Sequence, residues 1–588
     1  MRLGMTVILV AASAVVVGTG VTASASTVSR PAAASPSAVR GNTVVQSVSA
    51  AAVIAPVATC ASLTSDDLTN VPDAPATITS TKTITASTNP LGSYDACQIA
   101  GIIAPQTQFV MDLPLSTYQG RYLQLGCGGN CGSDNLGPPA ASFNCTPVTS
   151  GQFAEATDNE GHVGTAFGSE FAQDPELRTI FGYKSEHQLS LVAKRIVADF
   201  YGQQPQYSYF DGCSEGGDEG LSEAQRYPDD FNGIIAGAPA AVWDELEIFY
   251  QGWNELANSG PGRQPILTIG DLGPLHQAVV AACDNLNGTT DGLIADPLAC
   301  DWDPASIQCG AQQTSTPTDF CLTSLQVQTV RKLYSGPTDD RGTLMYPGWQ
   351  VRGSELNWAA WLVPIAGDET QTIDYGIVNP WLKYGVFPNV EPQASDQNLT
   401  FTDKTFRAAT ETDSIYDSTD PNLSAFRAHG GKLILWHGFA DPAISPVGTI
   451  AYFTAVQKYM GVSSTHSFAR LFMLPGVSHC AGGDGPDSFN GLGALTDWVE
   501  GGQAPSQLTT FKVTNGSVTA SRPVFEYPKI AVDTTGGPIN DASSYTAQDP
   551  PKPFNGNLHW LGSFRNGYEK VCGWVNGKWV CRMAKSGL

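Results

Sequence analysis

A glycine-flanked motif around one serine is the part of the sequence whose chemistry is easiest to name. Ser214 stands in Gly-Cys-Ser-Glu-Gly, between an aromatic segment typical of a strand and a segment typical of a helix. In a sharp strand-to-helix turn of this kind, the flanking glycines avoid the clash that a Cβ atom would cause, and the serine hydroxyl is exposed. The motif predicts a nucleophilic serine, although the same pattern also occurs by chance in many proteins.

A nucleophilic serine needs a general base and an acid that orients the base, and these follow the serine in the order acid, histidine in enzymes with this turn. Asp441 follows the apolar run Lys-Leu-Ile-Leu-Trp, and His479 follows the apolar run Arg-Leu-Phe-Met-Leu. Both therefore stand on loops after predicted strands. The alternatives are a turn residue before Pro442 and an ordinary loop histidine. His437 is the rival base; it ends a strand, and we expect it to pack beneath the site.

Two cysteines adjoin the predicted catalytic residues. Cys213 immediately precedes the serine, and Cys480 immediately follows the histidine. If Ser214 and His479 are within hydrogen-bonding reach, the neighbouring Cα atoms fall within the separation of about 4.4 to 6.8 Å that a disulfide requires. From spacing alone, a bond between the two loops is as compatible with the sequence as two free thiols or other pairings.

The elements that must position these residues alternate between strand and helix patterns. Short apolar runs typical of buried strands occur at 122–125, 207–210, 233–236, 432–436 and 471–474. The apolar periodicity predicts helices at 189–200 and 447–459. This alternation predicts an α/β fold with a mostly parallel sheet that is covered by helices on both faces.

The N-terminus and the composition are typical of an exported, acidic protein. Residues 1–25 carry a basic Arg2, an apolar core and Ala-Ser-Ala before Ser26, which is the pattern of a cleaved signal peptide. Residues 26–57 are rich in serine, alanine, valine and proline and predict a flexible leader. The net charge of −24 argues against nucleic acid and anionic membranes as partners. The sequence does not indicate an oligomeric state.

Several longer segments resemble the tannase and feruloyl esterase family, which includes the mono(2-hydroxyethyl) terephthalate hydrolases. They are Gly-Arg-Tyr-Leu-Gln-Leu-Gly-Cys-Gly-Gly at 120–129, Ser-Tyr-Phe-Asp-Gly-Cys-Ser-Glu-Gly-Gly at 208–217, the run at 224–240, His-Gly-Phe-Ala-Asp-Pro at 437–442 and Gly-Val-Ser-His-Cys at 476–480. The resemblance extends from Cys60 to Ala547.

The resemblance implies an α/β-hydrolase core into which a large lid domain is inserted. On this expectation residues 58–242 and 407–549 form the catalytic domain, residues 243–406 form the lid, and residues 550–588 form a C-terminal extension. The family pattern also implies the disulfide pairs Cys60 with Cys97, Cys283 with Cys300, and Cys309 with Cys321. Cys127, Cys131 and Cys145 are extra to that pattern, and thirteen cysteines leave at least one without a partner in the chain.

By position, the resemblance implies a serine esterase without an organic cofactor. Ser214 would attack an ester carbonyl, His479 would take its proton, and Asp441 would orient the imidazole. Two backbone amides would stabilise the oxyanion, each by about 3 kcal/mol. The implied amides are those of Glu215 and Gly129, with Gly128 as the alternative to the latter, and the implied bond between the two loops is Cys213–Cys480.

An oxygen-rich segment of the predicted lid resembles the calcium loop of the family. The run Cys-Asp-Asn-Leu-Asn-Gly-Thr-Thr-Asp-Gly-Leu-Ile, which begins at Cys283, offers oxygen atoms at close intervals, as Ca²⁺ requires. Asparagine replaces one of the usual aspartates and removes a negative charge. The alternative is a solvated turn. The implied ligands are the side chains of Asp284, Asn287 and Asp291 and the carbonyl groups of Thr289 and Leu293.

The predicted lid is also rich in aromatic residues. Although one tryptophan is usually a core residue, several of them above a serine esterase would form a slot for a planar aromatic acyl group. We therefore expect small esters of hydroxycinnamic or hydroxybenzoic acids, free or linked to a plant polymer, as substrates. The expected lining residues are Trp358, Trp361, Trp381 and Phe387.

The C-terminal extension contains the signature of a β-hairpin. Asn576-Gly577 is a preferred type I′ turn, and counting outwards from it pairs Trp574 with Trp579. The same count places Cys572 opposite Cys581 in the non-hydrogen-bonded register, which favours a cross-strand disulfide. The hairpin would be structural, or its tryptophan face would bind a sugar or polymer.

Two other functions remain open at the level of sequence. The same fold would serve a serine peptidase or a hydrolase of mono(2-hydroxyethyl) terephthalate, and a panel of substrates separates these from an aromatic esterase. A non-catalytic carbohydrate-binding or surface-binding protein would retain only the shell of the fold. The presence of Ser214, Asp441 and His479 argues against that last interpretation.

Overall fold

The computed structural model describes residues 52–89, 91–311, 313–316, 319–386, 394–564, 570–575 and 578–583, with side chains described as far as residue 564. The predicted signal peptide, and the leader as far as residue 51, lie outside the described residues. No helix of the described part is long and apolar enough to cross a membrane.

A nine-stranded sheet forms the centre of the protein. Its strands are β1 (Ala76–Ile84), β2 (Ala96–Ile103), β3 (Thr107–Pro114), β4 (Arg121–Leu125), β5 (Phe153–Asp158), β6 (Tyr207–Cys213), β7 (Gly233–Gly237), β8 (Lys432–Gly438) and β9 (Ala469–Leu474). Their spatial order is β1-β2-β3-β5-β4-β6-β7-β8-β9. Neighbouring strands from β5 to β9 are parallel, so the sequence prediction of a parallel sheet is confirmed there.

The other edge of the sheet differs from the prediction. Strands β1, β2 and β3 form an antiparallel meander, and β3 pairs antiparallel with β5. The sheet is therefore mixed. Strand β1 is rich in threonine and alternates between buried and exposed positions at its start, so no continuous apolar run reveals it in the sequence.

The helices cover the sheet and build the segments between its strands. They are α1 (Thr146–Thr149), α2 (Pro175–Thr179), α3 (Ser185–Tyr201), α4 (Glu215–Arg226), α5 (Gln251–Asn258), α6 (Ile269–Cys283), α7 (Ser324–Ser335), α8 (Ile373–Pro380), α9 (Asp403–Ala409), α10 (Asp413–Tyr416), α11 (Ser424–Ala428), α12 (Pro446–Met460), α13 (Val462–His466) and α14 (Gly491–Gly501). The helices predicted at 189–200 and 447–459 are confirmed as α3 and α12.

Apolar cores lie on both faces of the parallel part of the sheet. Along β8, Leu433 and Leu435 belong to one core, whereas Ile434 and Trp436 belong to the other. This alternation follows from the pleat of a strand, which sends successive side chains to opposite faces. Both faces are covered, and the strand is therefore apolar throughout rather than alternately polar.

A long insertion separates β7 from β8. It contains α5 to α11 and, directly after β7, a π-helical turn at Glu245–Tyr250. The insertion corresponds to the segment that the sequence analysis interprets as a lid, and its domain boundaries at 243 and 406 stay predictions. It has its own apolar core around Leu333, Trp358 and Leu362.

The C-terminal part adds three small antiparallel sheets. Their strands are β10 (Ser488–Phe489), β11 (Gln507–Thr514), β12 (Ser517–Phe525), β13 (Ile530–Asp533), β14 (Tyr545–Gln548), β15 (Lys570–Val575) and β16 (Lys578–Met583). The predicted hairpin register is confirmed, because Cys572 pairs with Cys581 and Trp574 with Trp579 along the backbone. The turn at 576–577 and the predicted Cys572–Cys581 bond lie outside the described residues and side chains.

Five cystines cross-link the described chain. They are Cys60–Cys97, Cys127–Cys131, Cys213–Cys480, Cys283–Cys300 and Cys309–Cys321. Four of these pairs are the ones that the family resemblance implies, and Cys127–Cys131 joins two of the three extra cysteines. Cys145 is a buried free thiol, and burial raises its pKa to about 11. It is therefore a protonated core residue at neutral pH.

Candidate active site

The turn between β6 and α4 holds Ser214 in a strained conformation. Its φ of 70° lies in the left-handed region, which is rare for a residue with a side chain. Gly212 permits this turn, because a Cβ atom there would collide with the carbonyl oxygen of Gly216. The serine amide donates to the carbonyl of Gly237 on the neighbouring strand β7, 2.9 Å away. The turn is thereby fixed to the sheet, and the serine precedes the first turn of α4.

His479 lies between the serine and a buried carboxylate. Its Nε2 is 2.9 Å from the Oγ of Ser214, and its Nδ1 is 2.8 Å from the Oδ2 of Asp441. Because an ionised carboxylate can only accept, Nδ1 carries the hydrogen and Nε2 is left to accept from the serine hydroxyl. The three side chains form one continuous chain of hydrogen bonds.

Asp441 is fully buried and is held by several donors. Its Oδ1 accepts from the amides of Ala443 and Ile444, and its Oδ2 is shared by His479 and His437. Burial alone would raise the pKa of this carboxyl, but the charge of His479 and hydrogen bonds from both histidines hold it well below its usual range. The surroundings of Asp441 therefore favour its ionised form.

His437, the alternative candidate for the base, has other hydrogen-bond partners than Ser214. Its Nε2 contacts both Asp441 and the carbonyl oxygen of Ile444, each at 3.1 Å, and its Nδ1 is 2.8 Å from the hydroxyl of Thr449. The side chain is fully buried within β8. It therefore supports the carboxylate from below, as expected from its position at the end of the strand.

Glu215 and Gly129, whose amides are the candidate oxyanion donors, line the same cavity as Ser214. Glu215 is the first residue of α4, and Gly129 lies in the loop after β4. Within the described residues, neither amide has a hydrogen-bond acceptor. Gly129 has a φ of 64°, and a Cβ atom there would collide with the carbonyl oxygen of Ala166. A Cβ atom at Gly128 would meet no other atom within 4 Å. Of the two glycines, Gly129 is therefore the one that a larger residue could not replace without a collision.

The loop that carries Gly129 is tied to the elbow. The amide of Gly216 donates to the carbonyl of Cys127 at 3.0 Å, and the Cys127–Cys131 bond closes the loop around the two glycines. The carboxyl of Glu219 on α4 also accepts from the Cys127 amide at 3.3 Å. These contacts fix the distance between the two candidate oxyanion donors.

A disulfide also joins the two loops that carry the serine and the histidine. Cys213 and Cys480 are bonded, with their Cα atoms 5.9 Å apart. Each is next in sequence to a member of the hydrogen-bonded chain. The bond therefore restricts the movement of Ser214 relative to His479.

A cavity of about 290 Å³ opens in front of the serine. Core residues around Ser214 and His479 form one side of it, and residues of the insertion form the other. Most of the lining is apolar. The insertion contributes Trp243, Leu246, Glu247, Gln251, Trp361 and Ile377.

Of the aromatic residues expected in the lining, the structure places one at the cavity and two elsewhere. Trp361 lines the cavity, with its ring 5.4 Å from that of His479 in an edge-to-face contact. Trp358 instead lies in the core of the insertion, where its Nε1 donates to Gln350 and Ser354. Trp381 lies behind Trp243 and donates to Asp244 at 2.8 Å. Phe387 lies outside the described residues.

Both displaced tryptophans are fully buried because their indole N–H groups find acceptors inside the insertion. The residues that replace them in the lining are Trp243, Phe167 and Glu247. Trp243 was detectable as an aromatic residue just after β7. No local pattern marks either Phe167, in the segment between β5 and α2, or Glu247, in the insertion, since their positions depend on the tertiary fold.

The oxygen-rich loop after α6 is compact and partly charged. Asp284 accepts from the amides of Asp291 and Gly292, while Asn287 accepts from the amide of Thr289. Asp291 forms an ion pair with Arg522 at 2.6 Å. The two aspartates and the arginine leave one net negative charge, and the buried hydroxyl of Thr289 has no partner within the described residues. Ca²⁺ prefers oxygen ligands of this type, but Arg522 already neutralises the Asp291 carboxylate in this structure.

Comparisons with known proteins place the chain among esterases. It matches the family described as tannase and feruloyl esterase over residues 91–548. It is 32% identical over 522 residues to the mono(2-hydroxyethyl) terephthalate hydrolase of Piscinibacter sakaiensis, covering 77% of this chain and 85% of that protein. It is 30% identical over 489 residues to a probable feruloyl esterase B-1 of Aspergillus flavus, covering 78% and 87%. The crystal structure of feruloyl esterase B from Aspergillus oryzae has a TM-score of 0.70 at 28% identity, over 80% of this chain and 97% of that chain.

Proposed function

The chain belongs to the tannase and feruloyl esterase family, and we propose that it hydrolyses esters of aromatic acids through Ser214, His479 and Asp441. The observation that carries this proposal is the hydrogen-bonded chain of these three side chains at the floor of a cavity with aromatic walls. The reaction needs no organic cofactor, because the protein supplies the nucleophile, the base and the oxyanion donors.

In the acylation step, the Oγ of Ser214 attacks the ester carbonyl while its proton passes to the Nε2 of His479. Asp441 holds the imidazole by its Nδ1 hydrogen and stabilises the positive charge that develops on the ring. His479 then gives the proton to the leaving alcohol as the carbon–oxygen bond breaks. The acid remains on Ser214 as an ester.

The oxyanion forms on the side of Glu215 and Gly129. Their unpaired amides would bind the charged oxygen of both tetrahedral intermediates, each with an effect of about 3 kcal/mol. In the second step, His479 takes a proton from water, which attacks the acyl-enzyme and releases the aromatic acid. The serine recovers its proton and the cycle is complete.

The chemistry of the cavity favours phenolic acids over terephthalate monoesters. The apolar walls suit a planar ring. A terephthalate monoester carries a second, ionised carboxylate on that ring, and a buried carboxylate requires a cation or several donors. Within the described residues, no lysine or arginine lines the cavity. A neutral phenol or methoxyphenol therefore fits this site better than a carboxylate.

Two further proposals concern the protein outside the reaction. Asp284, Asn287, Thr289, Asp291 and Leu293 would hold a structural Ca²⁺ ion that fixes the loop after α6. The signal-peptide pattern at 1–25 and the five cystines favour secretion into an oxidising environment. Neither proposal enters the chemical steps.

The test compares initial rates on methyl ferulate, methyl gallate, mono(2-hydroxyethyl) terephthalate and p-nitrophenyl acetate, for the wild type and Ser214→Ala. We expect at least one phenolic ester to exceed the terephthalate monoester in kcat/KM, and the substitution to abolish turnover. Preference for the terephthalate monoester would reverse the substrate assignment. Lack of hydrolysis of every ester would favour the non-catalytic interpretation.

A further inference from the structure

Glu247 lines the cavity but takes no part in the proposed reaction steps. It belongs to the π-helical turn at Glu245–Tyr250, which follows the strand after the serine elbow. Its side chain lines the cavity, although only 6% of the residue is exposed. The insertion thus places a carboxyl group within a mostly apolar wall.

The carboxyl group of Glu247 has no hydrogen-bond or ion-pair partner in the part of the chain that the structure describes. Among the described residues, no hydrogen bond or ion pair reaches it, and the charged groups that act on it or feel its charge are the acids Asp244, Glu215 and Asp374. Burial, and then the charge of Asp244, raise the pKa of Glu247 to about 8. At neutral pH the group is therefore mostly a neutral acid, with one hydroxyl to donate and one carbonyl to accept.

A buried polar group without a partner is unfavourable by about 1 to 3 kcal/mol. Such a group in a native structure calls for an explanation, for example a functional role or a bound water or ion, and ligand cavities carry a few polar groups that fix the orientation of the ligand. The neighbouring polar residue on this wall, Gln251, already donates to the carbonyl of Ala443 at 3.2 Å. The side-chain oxygen of Gln251 and the Nε1 of Trp243, another lining residue, have no partner among the described residues. Glu247 differs from them because its carboxyl group offers both a donor and an acceptor to a polar group of the ligand.

We propose that Glu247 determines specificity by hydrogen-bonding a phenolic hydroxyl group on the aromatic acyl part of the substrate. A phenol presents one or two hydroxyl groups on an otherwise apolar ring, which matches one carboxyl in an apolar wall. A sugar alcohol presents many hydroxyl groups and requires several polar partners. The inference rests on the proposed aromatic esterase function and names the ring substituent that this site selects.

The experiment uses pairs of esters that differ in one substituent. Methyl 4-hydroxycinnamate is compared with methyl cinnamate and methyl 4-methoxycinnamate, for the wild type, Glu247→Leu and Glu247→Gln. We expect Glu247→Leu to lower kcat/KM for the hydroxycinnamate about tenfold or more, and to leave the cinnamate unchanged or improved. Glu247→Gln keeps a donor and an acceptor, so it should recover most of the preference.

Hydrolysis of p-nitrophenyl acetate serves as the control for a folded, active enzyme. Equal losses on all esters, or no loss on the hydroxycinnamate, would overturn the role of Glu247 while leaving the esterase function intact. If the wild type hydrolyses the three aromatic esters without preference, the role of Glu247 is likewise overturned and the esterase function remains. A wild type that hydrolyses p-nitrophenyl acetate but none of the aromatic esters would overturn both this inference and the proposed function.

Discussion

At the scale of single residues, two histidines share one carboxylate but have different partners. Only His479 lies at hydrogen-bonding distance from Ser214, whereas His437 bonds Asp441, Ile444 and Thr449. We therefore assign the general base to His479 and a supporting role to His437. His437 is the nearer of the two to Asp441 in sequence, but distance along the chain does not show where the loops meet in space.

Substitutions of the two histidines and of the aspartate should lower kcat by different amounts. We expect Asp441→Asn to lower kcat by about 10⁴-fold, because the amide leaves the imidazole in the wrong tautomer. His437→Gln should reduce kcat by much less, since it removes only one of several donors to the carboxylate. Steady-state kinetics on a phenolic ester measure both. If His437→Gln were as damaging as His479→Gln, the assignment of the base would have to change.

The hydrogen-bonded residues were predictable because each stands in a short motif with its own chemistry. Ser214 has the glycines of its turn, and Asp441 and His479 each follow an apolar strand. Glu247 has no such motif. Its function depends on burial and on residues of other segments, and those are set by the tertiary fold alone.

At the scale of elements, the Cys213–Cys480 bond joins the loop after β6 to the loop after β9. These loops lie on strands that are separated by two others in the sheet order. The bond closes a sequence separation of 267 residues, whereas the Cys309–Cys321 bond in the insertion closes 12. Removal of the first bond should therefore affect both stability and the positions of the reacting groups.

We expect Cys213→Ala/Cys480→Ala to lower kcat more than KM rises, because the serine and the histidine lose their fixed separation. Loop-closure entropy also predicts a loss of stability above 4 kcal/mol, against about 3 kcal/mol for the shorter loop. The matched control is Cys309→Ala/Cys321→Ala, which should lose stability without a selective loss of kcat. Chemical unfolding measures the stability of both double variants, and steady-state kinetics measure their kcat and KM. Unchanged kcat in the first variant would show that the bond has no role in positioning.

The parallel strands could be predicted because burial on both faces makes them continuously apolar. The antiparallel edge that begins at β1 could not, since the exposed positions of β1 carry threonine, serine and lysine and interrupt any apolar run. Similarly, Trp358 and Trp381 were expected to line the cavity because they are aromatic residues of the predicted lid. Hydrogen-bond acceptors inside the insertion, which a linear sequence does not reveal, hold them in two buried apolar clusters instead.

At the scale of the whole molecule, many carboxyl groups are buried around α4. Asp218 and Glu219 are examples, and burial raises the pKa of each to about 8. Glu155, on β5, has a pKa that burial and then Asp112 raise to about 8 as well. In the unfolded chain these groups titrate near 4. The folded protein therefore binds more protons than the unfolded chain between these values.

This difference predicts that stability falls as the pH rises. The contribution of such groups is fully present below the unfolded pKa and is lost as the pH rises through the folded pKa. We expect the melting temperature to be higher at pH 5 than at pH 8, in the same ionic strength. Glu155→Gln should flatten this dependence, because it removes one of the titrating groups and keeps an acceptor for Tyr94. A melting temperature that rises from pH 5 to pH 8 would contradict the prediction.

The central claim is that Ser214 carries the aromatic acyl group during turnover. Rapid mixing of the enzyme with p-nitrophenyl ferulate, followed by acid quench and peptide mass spectrometry, tests it directly. We predict a burst of p-nitrophenol that is stoichiometric with enzyme, and a feruloyl group on the peptide that contains Ser214, both absent in Ser214→Ala. Turnover that persists in Ser214→Ala, or acylation of a different residue, would contradict the claim.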